Sequence, residues 1–303
     1  MMRYIDQGKQ GDNRVLRYVL ALSLIFVVYI IGSFGLFVDY NLNVDGGGAS
    51  GQVMSQFTSV LGENRVLVWL MLPFILVFGV FLFAIKYIHK RTIKSIFTAR
   101  DSFDWRRVFI SFALIVFVLS VTTFFEIFYS NAYVWNFDLS KFAVLVVIAL
   151  LMIPIQTTIE ELIFRGYLMQ GLKMKMGSSK HAVILSGIMF GLMHVGNPEI
   201  EAIGSHVLIY YVVSGVFLGA LALYDNGLEL SIGYHAANNI FAALMVSNDW
   251  QVFQTNALYI NTSPPGLGWM ELLISLLFFP VLFLIYKKIF KWSSLKETWN
   301  HQD

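Results

Sequence analysis

Three short clusters hold the side chains with chemistry to offer. The first is Glu160-Glu161-Leu-Ile-Phe-Arg165. Glu161 and Arg165 stand four apart on one helix face, where they can pair. Glu160 points about 100° away from Glu161 on the helical wheel and has no such partner on its own helix. A carboxylate left unpaired in an apolar setting is a candidate general base, because desolvation raises its affinity for a proton. The second cluster is Phe190-Gly-Leu-Met-His194, preceded by Gly187. Gly187 and Gly191 make a small-xxx-small pair that admits a close backbone. His194 follows on the same face, turned into a helix contact and able to share a proton with a neighbouring acid. The third is His235-Ala-Ala-Asn-Asn239, which places His235 and Asn239 on one face with two small residues between them. Two donors so placed can meet the charge on a tetrahedral intermediate, or can simply fasten two helices. Taken singly, each cluster also has a structural reading: a stabilising ion pair with a stray acid, a satisfied buried histidine, a helix–helix tie.

The elements that carry these residues are read from hydropathy. Of 303 residues, 57% are apolar and 13% are charged, half the charge of an ordinary soluble domain at about 25%. Net charge is +2, which gives no reason to expect nucleic acid as a partner. There is no cysteine, so disulfides, thiolate metal sites and a cysteine nucleophile are excluded together. Apolar runs of the length needed to cross ~30 Å of hydrocarbon recur at Tyr18–Val38, Val66–Tyr87, Val108–Tyr129, Phe142–Gln170, Ala182–Val195, Ala202–Tyr224, Leu228–Val246 and Met270–Lys291. The fold expected is all-α, a polytopic bundle of about eight transmembrane helices forming one domain over 1–303. The first run is too long for a signal-peptide core and has no small-residue cleavage site. Of the 21 Lys and Arg residues, all but Arg65, Lys141 and Arg165 fall on one side of this arrangement, so both termini are expected in the cytoplasm.

The first three spans are almost purely apolar, with Glu126 as their acid near one end, read as structural. Two connections on the other side, Asp39 to Arg65 and Ser247 to Gly268, are polar or Gly-rich and are read as flexible loops. The stretch Arg91 to Arg107 mixes basic residues with Ile93, Ile96, Phe97, Phe103 and Trp105. It is compatible with a segment lying on the membrane surface or with a plain basic connection. Ionisable groups inside spans are costly and mark function by default. At ~1.5 Å per residue, Glu160 lies ~18 Å, His194 ~20 Å and His235 and Asn239 ~10–17 Å from the basic side. Three helices thus bring their polar groups to nearly one level, which unrelated structural polars have no reason to do.

Glu-Glu-x-x-x-Arg, Phe-x-x-x-His and His-x-x-x-Asn, in that order on successive membrane helices, resemble the CPBP family. That family includes the CAAX prenyl endopeptidases and bacterial proteins linked to bacteriocin processing and self-immunity. The resemblance covers about residues 141–246, the expected catalytic core, and all its motifs are complete. It implies an intramembrane endopeptidase in which Glu160 and His194 activate water and His235 and Asn239 hold the oxyanion. Glu161, Arg165 and Phe190 would support them. Substrates would be membrane-associated or lipidated peptides or membrane-protein segments, with membrane lipid as the surrounding partner.

Other intramembrane hydrolase signatures, His-Glu-x-x-His among them, are absent from the sequence. The expectation is catalysis without a cofactor, the alternative being zinc on Glu160, His194 and His235. A non-catalytic immunity or scaffold protein and a proton-coupled transporter are further alternatives; no inverted repeat supports the latter. A bacterial plasma membrane is the expected location, with endoplasmic reticulum second.

Overall fold

A computed structural model describes residues 2–44 and 54–292. The Gly46-Gly47-Gly48 part of the first loop and Lys296 lie outside the described residues. A 3₁₀ turn, Tyr4–Lys9, precedes α1 (Val15–Asn43), α2 (Met54–Leu61) and α3 (Glu63–Phe83), which runs on through a π-helical turn at Ala84–Ile88. After the single turn α4 (Lys94–Phe97) come α5 (Trp105–Tyr129), strand β1 (Tyr133–Trp135) and α6 (Leu139–Glu161). A π segment, Leu162–Leu168, leads directly into α7 (Met169–Met176). Then follow α8 (Ser179–Leu192), α9 (Pro198–Ile203), α10 (Val207–Tyr224) and α11 (Glu229–Met245). Strands β2 (Val246–Ser247) and β3 (Tyr259–Asn261) and helix α12 (Trp269–Phe290) complete the described chain.

Among the described residues, six helical runs are long and apolar enough to cross a membrane: Val15–Asn43, Glu63–Ile88, Trp105–Tyr129, Leu139–Met176, Val207–Tyr224 and Trp269–Phe290. Their outward faces suit lipid. Phe26, Ile31 and Phe34 of α1, Phe117 and Phe124 of α5, and Leu277 and Leu284 of α12 all project from the bundle. The helices themselves satisfy the backbone polar groups that hydrocarbon cannot. The all-α polytopic bundle is therefore as expected, but its count needs correction. The expected fifth and seventh spans are α8, with 14 residues, and α11, with 17. Helix α11 is buried from Glu229 through Ala237, so it is a core helix with protein on every side of that half. A helix enclosed by protein tolerates polar groups at a density that a lipid-facing one does not.

Local chemistry starts and stops these helices. Asp138 caps α6 by accepting from the Lys141 N–H at 3.0 Å. Ser178 caps α8 by accepting from the His181 N–H at 3.4 Å. Gly177, at φ +78°, ends α7 in the left-handed conformation that favours glycine. The Leu139–Met176 run has 38 residues. It is ~57 Å long at 1.5 Å per residue, so it both crosses the bilayer and projects beyond it.

The two expected loops are more ordered than read, since α1 runs to Asn43 and α2 spans Met54–Leu61 in the first. Residues 246–262 contribute β2 and β3 to a three-stranded sheet of order β1-β3-β2, antiparallel between β1 and β3 and parallel between β2 and β3. Strands of two or three residues are too short to show a period of two in sequence. The Arg91 to Arg107 stretch is a basic connection anchored at several points. Phe97 accepts from the Leu228 N–H, Ala99 donates to the Asn226 carbonyl, and Ile96 is fully buried. Arg100 and Arg107 reach Asp225, and Arg100 also pairs with Glu229 at 3.0 Å.

The core is a set of contiguous apolar layers. Leu145, Ala149 and Ile153 of α6 pack with Ala236, Ile240 and Ala243 of α11 and with Leu67 and Met71 of α3. Helix α8 lies tightly on α10, because a Cβ added at Gly187 would stand 2.6 Å from the Val216 nitrogen. These contacts fix the places from which the polar residues project.

Candidate active site

The last turn of α6 and the π segment after it present Glu160, Glu161 and Arg165. π-helical turns insert an extra residue and are common at functional sites. Arg165 and Glu161 are both fully buried and pair at 3.0 Å, as their spacing predicts. A second donor closes on the same carboxylate oxygen: His235 Nδ1 lies 2.8 Å from Glu161 Oε1. The remaining oxygen, Glu161 Oε2, and Arg165 Nε have no partner among the described residues. Arg165 also donates from Nη2 to the Gly215 carbonyl of α10 at 3.1 Å. Its guanidinium sits 4.3 Å from the centre of the Phe190 ring. The ion pair thus ties α6, α8, α10 and α11 together.

Glu160 faces a different environment. Its side chain keeps 16% of its exposure, and its Oε2 lies 3.6 Å from His235 Nε2. Its Oε1 accepts from Gln156 Nε2 at 2.5 Å. As expected, no cation of its own helix pairs with Glu160 among the described residues; what it does meet there is an amide four residues earlier, and amides leave no charge pattern in the sequence. Gln156 in turn accepts from Asn239 Nδ2 at 3.2 Å, and Asn239 Oδ1 accepts from Asn238 Nδ2 at 3.1 Å.

His194 lies just past the end of α8, where the expected fifth span continued to Val195. The helix stops at Leu192, and the chain turns through Met193–Gly196 toward Asn197-Pro198 and α9. Proline biases the residue before it away from helix. The turn keeps His194 against α10, where its ring stacks on Tyr211 at 4.1 Å. His194 Nδ1 is 2.8 Å from the Phe190 carbonyl. A carbonyl only accepts, so Nδ1 carries the proton and the neutral ring leaves Nε2 with a free lone pair. Phe190 stands between the two histidines, 4.7 Å from His194 and 6.0 Å from His235 by ring centres.

The structure thus gathers Glu160, Glu161, Arg165, Phe190, His235 and Asn239 into one contact network, with His194 joined through Phe190. Sequence reasoning missed Gln156, Tyr211 and the Gly215 carbonyl. A glutamine four residues before an intramembrane acid was the available signal for the first; nothing local marks the other two. Zinc would require clustered ligands, and no group of three His, Asp or Glu residues is placed to hold a metal among the described residues.

Comparison with known proteins bears on the same segment. Residues 139–241 match the family described as type II CAAX prenyl endopeptidase Rce1-like. An uncharacterized protein of Bacillus subtilis (strain 168), YyaK, is similar at 27% identity over 256 residues, covering 80% of this chain and 82% of that protein. No solved structure matches. The six apolar helices among the described residues make the chain an integral membrane protein, and over residues 139–241 it is similar to the Rce1-like family of type II CAAX prenyl endopeptidases.

Proposed function

We propose that the chain is an intramembrane endopeptidase that cuts membrane-associated or lipidated peptides with water activated by Glu160 and His194. The observation that carries this reading is the meeting of Glu160, His235 and Asn239 from two helices: Gln156 bonds both Glu160 and Asn239, and His235 Nε2 lies 3.6 Å from Glu160, with His194 beside them. Glu160 is the acid of the pair that no guanidinium contacts among the described residues, so its carboxylate is available to a proton. His194 has its Nδ1 committed to Phe190 and its plane held by Tyr211, which leaves Nε2 as the acceptor. Water attacks the scissile carbonyl carbon as its proton passes to this pair. The same proton then goes to the leaving amine as the C–N bond breaks.

The carbonyl oxygen, charged in the tetrahedral intermediate, needs donors. Asn239 uses one amide N–H on Gln156 and has the second to offer. His235 holds Glu161 through Nδ1, so its Nε2 donates to the oxyanion in the imidazolium form. Glu161 and Arg165 hold His235 and Phe190 in position. No step calls for a metal ion.

The test is reconstitution in liposomes with a quenched fluorescent peptide ending in a farnesylated CAAX sequence, and comparison of membrane peptides in cells. Glu160→Gln should abolish cleavage while folding is kept. Asn239→Ala should lower kcat by ~10²–10³ with KM little changed. A strong chelator should leave the wild-type rate as it was. Cleavage retained by Glu160→Gln, or activity that leaves with chelated zinc and returns with it, would overturn the reading.

A further inference from the structure

Gln156 stands outside every motif discussed above, yet it touches two of the proposed catalytic residues. It is 4% exposed, and its one amide spends both ends on the site, toward Glu160 on its own helix and Asn239 on α11. A buried glutamine can serve merely to tie two helices, but α6 and α11 have an apolar seam of their own at Leu145, Ala149, Ile153, Ala236, Ile240 and Ala243. The helices do not depend on this amide to meet.

We infer that Gln156 is a positioning residue that orients the Glu160 carboxylate and the Asn239 amide together. The direction of every bond follows from the carboxylate. An ionised Glu160 only accepts, so Gln156 must turn its NH₂ toward it and its oxygen toward Asn239. Asn239 must then present its NH₂ to that oxygen, and its own oxygen accepts from Asn238. One polarity runs from Asn238 through Asn239 and Gln156 to Glu160. It leaves one Asn239 N–H uncommitted, the group that the oxyanion needs. Without Gln156 the Asn239 amide is free to flip and present an acceptor, which repels an oxyanion. Glu160 would also lose the donor that favours its charged form. This inference rests on the reading of Glu160 as the base.

The other groups facing Glu160 must stay constant for a clean test. They are Glu161 on its own helix, Arg165 in the π segment, Tyr29 from α1, His194 after α8, Tyr211 from α10 and His235 from α11. Gln156→Met keeps side-chain length and removes the amide. Gln156→Glu keeps an acceptor toward Asn239 and replaces the donor toward Glu160 by a second acid. With the farnesylated CAAX peptide in liposomes, Gln156→Met should lower kcat by ~10- to 100-fold, the loss of a hydrogen bond to a charged group, with KM nearly unchanged. Gln156→Glu should lower kcat further. A second readout needs no turnover: the infrared side-chain amide C=O band that disappears in Asn239→Ala should shift in Gln156→Met relative to wild type.

If Glu160→Gln is dead while Gln156→Met keeps the wild-type kcat, the inference is overturned and the catalytic reading stands. If Glu160→Gln remains active, the catalytic reading falls and takes the inference with it. If wild type leaves the probe uncut, the infrared amide band decides: a shift in Gln156→Met supports the inference, and an unmoved band overturns it.

Discussion

Glu160 and Glu161 are neighbours in the chain whose surroundings diverge because successive side chains on a helix point about 100° apart. Glu161 is sealed between Arg165 and His235. Glu160 meets only amide and imidazole groups at hydrogen-bonding or ion-pair distance. The two residues should therefore fail in different ways. Glu161→Ala leaves the fully buried Arg165 without a carboxylate, which should cost ~3–5 kcal/mol of stability. Unfolding in detergent should register that loss, and Glu160→Gln should unfold close to wild type. Equal destabilisation by the two substitutions would contradict this division of labour. The Glu161–Arg165 pair was legible in the sequence because i,i+4 is a local relation. His235 as a third member was not, since 74 residues of chain separate it from Glu161.

At the scale of elements, α8 and α10 decide where His194 stands. Their backbones approach closely only because Gly187 and Gly191 lack a side chain. Gly187→Leu sets new atoms against the Val216 backbone, which cannot turn aside as a side chain can, so α8 must lift from α10 and carry His194 off Tyr211. The expected result is a loss of ~1–3 kcal/mol or more, read as a lower thermal midpoint, together with reduced cleavage. Gly79→Leu in α3, where nothing lies within 4 Å of an added Cβ, should change neither. The connection after α10 supplies a second test. Burial pushes the Asp225 carboxyl up to about 6, while the Arg100 and Arg107 guanidiniums pull it back down. Between its ordinary ~4 and 6, the folded protein holds a proton that the unfolded chain has released. The stabilisation from this group is thus complete below about 4 and is lost as pH rises through about 6. The thermal midpoint of wild type relative to Asp225→Asn should fall as pH is raised across that window; a constant difference would argue against it.

For the whole molecule, the distribution of basic residues makes a topological prediction. Arg91, Arg100 and Arg107 pack at the same end as the N-terminal turn, where Tyr4 donates to the Ile96 carbonyl, and the small sheet lies at the end where α11 finishes. With positive charge retained in the cytoplasm, a cysteine introduced at the exposed Thr262 should react with an impermeant thiol reagent from outside. One at the exposed Ser102 should not. The chain has no cysteine of its own to confuse the result. Labelling at Ser102 and protection at Thr262 would invert the orientation.

The sequence by itself determined the medium, the fold class and the segment that holds the candidate site. Lipid solubility and helix formation follow from composition and short-range periodicity, and the Glu-Glu-x-x-x-Arg, Phe-x-x-x-His and His-x-x-x-Asn spacings are relations within one or two turns. It also indicated that Gly187 and Gly191 face a neighbouring helix, because a missing side chain is visible without its partner. Tertiary structure alone decided which acid His235 holds, that Gln156 joins Glu160 to Asn239, that Tyr211 fixes the His194 ring, and that α11 is enclosed by protein. Each of those depends on how helices distant in the chain are rotated and stacked. That is set by the summed packing of apolar seams and close glycine contacts, and no local pattern of residues encodes it.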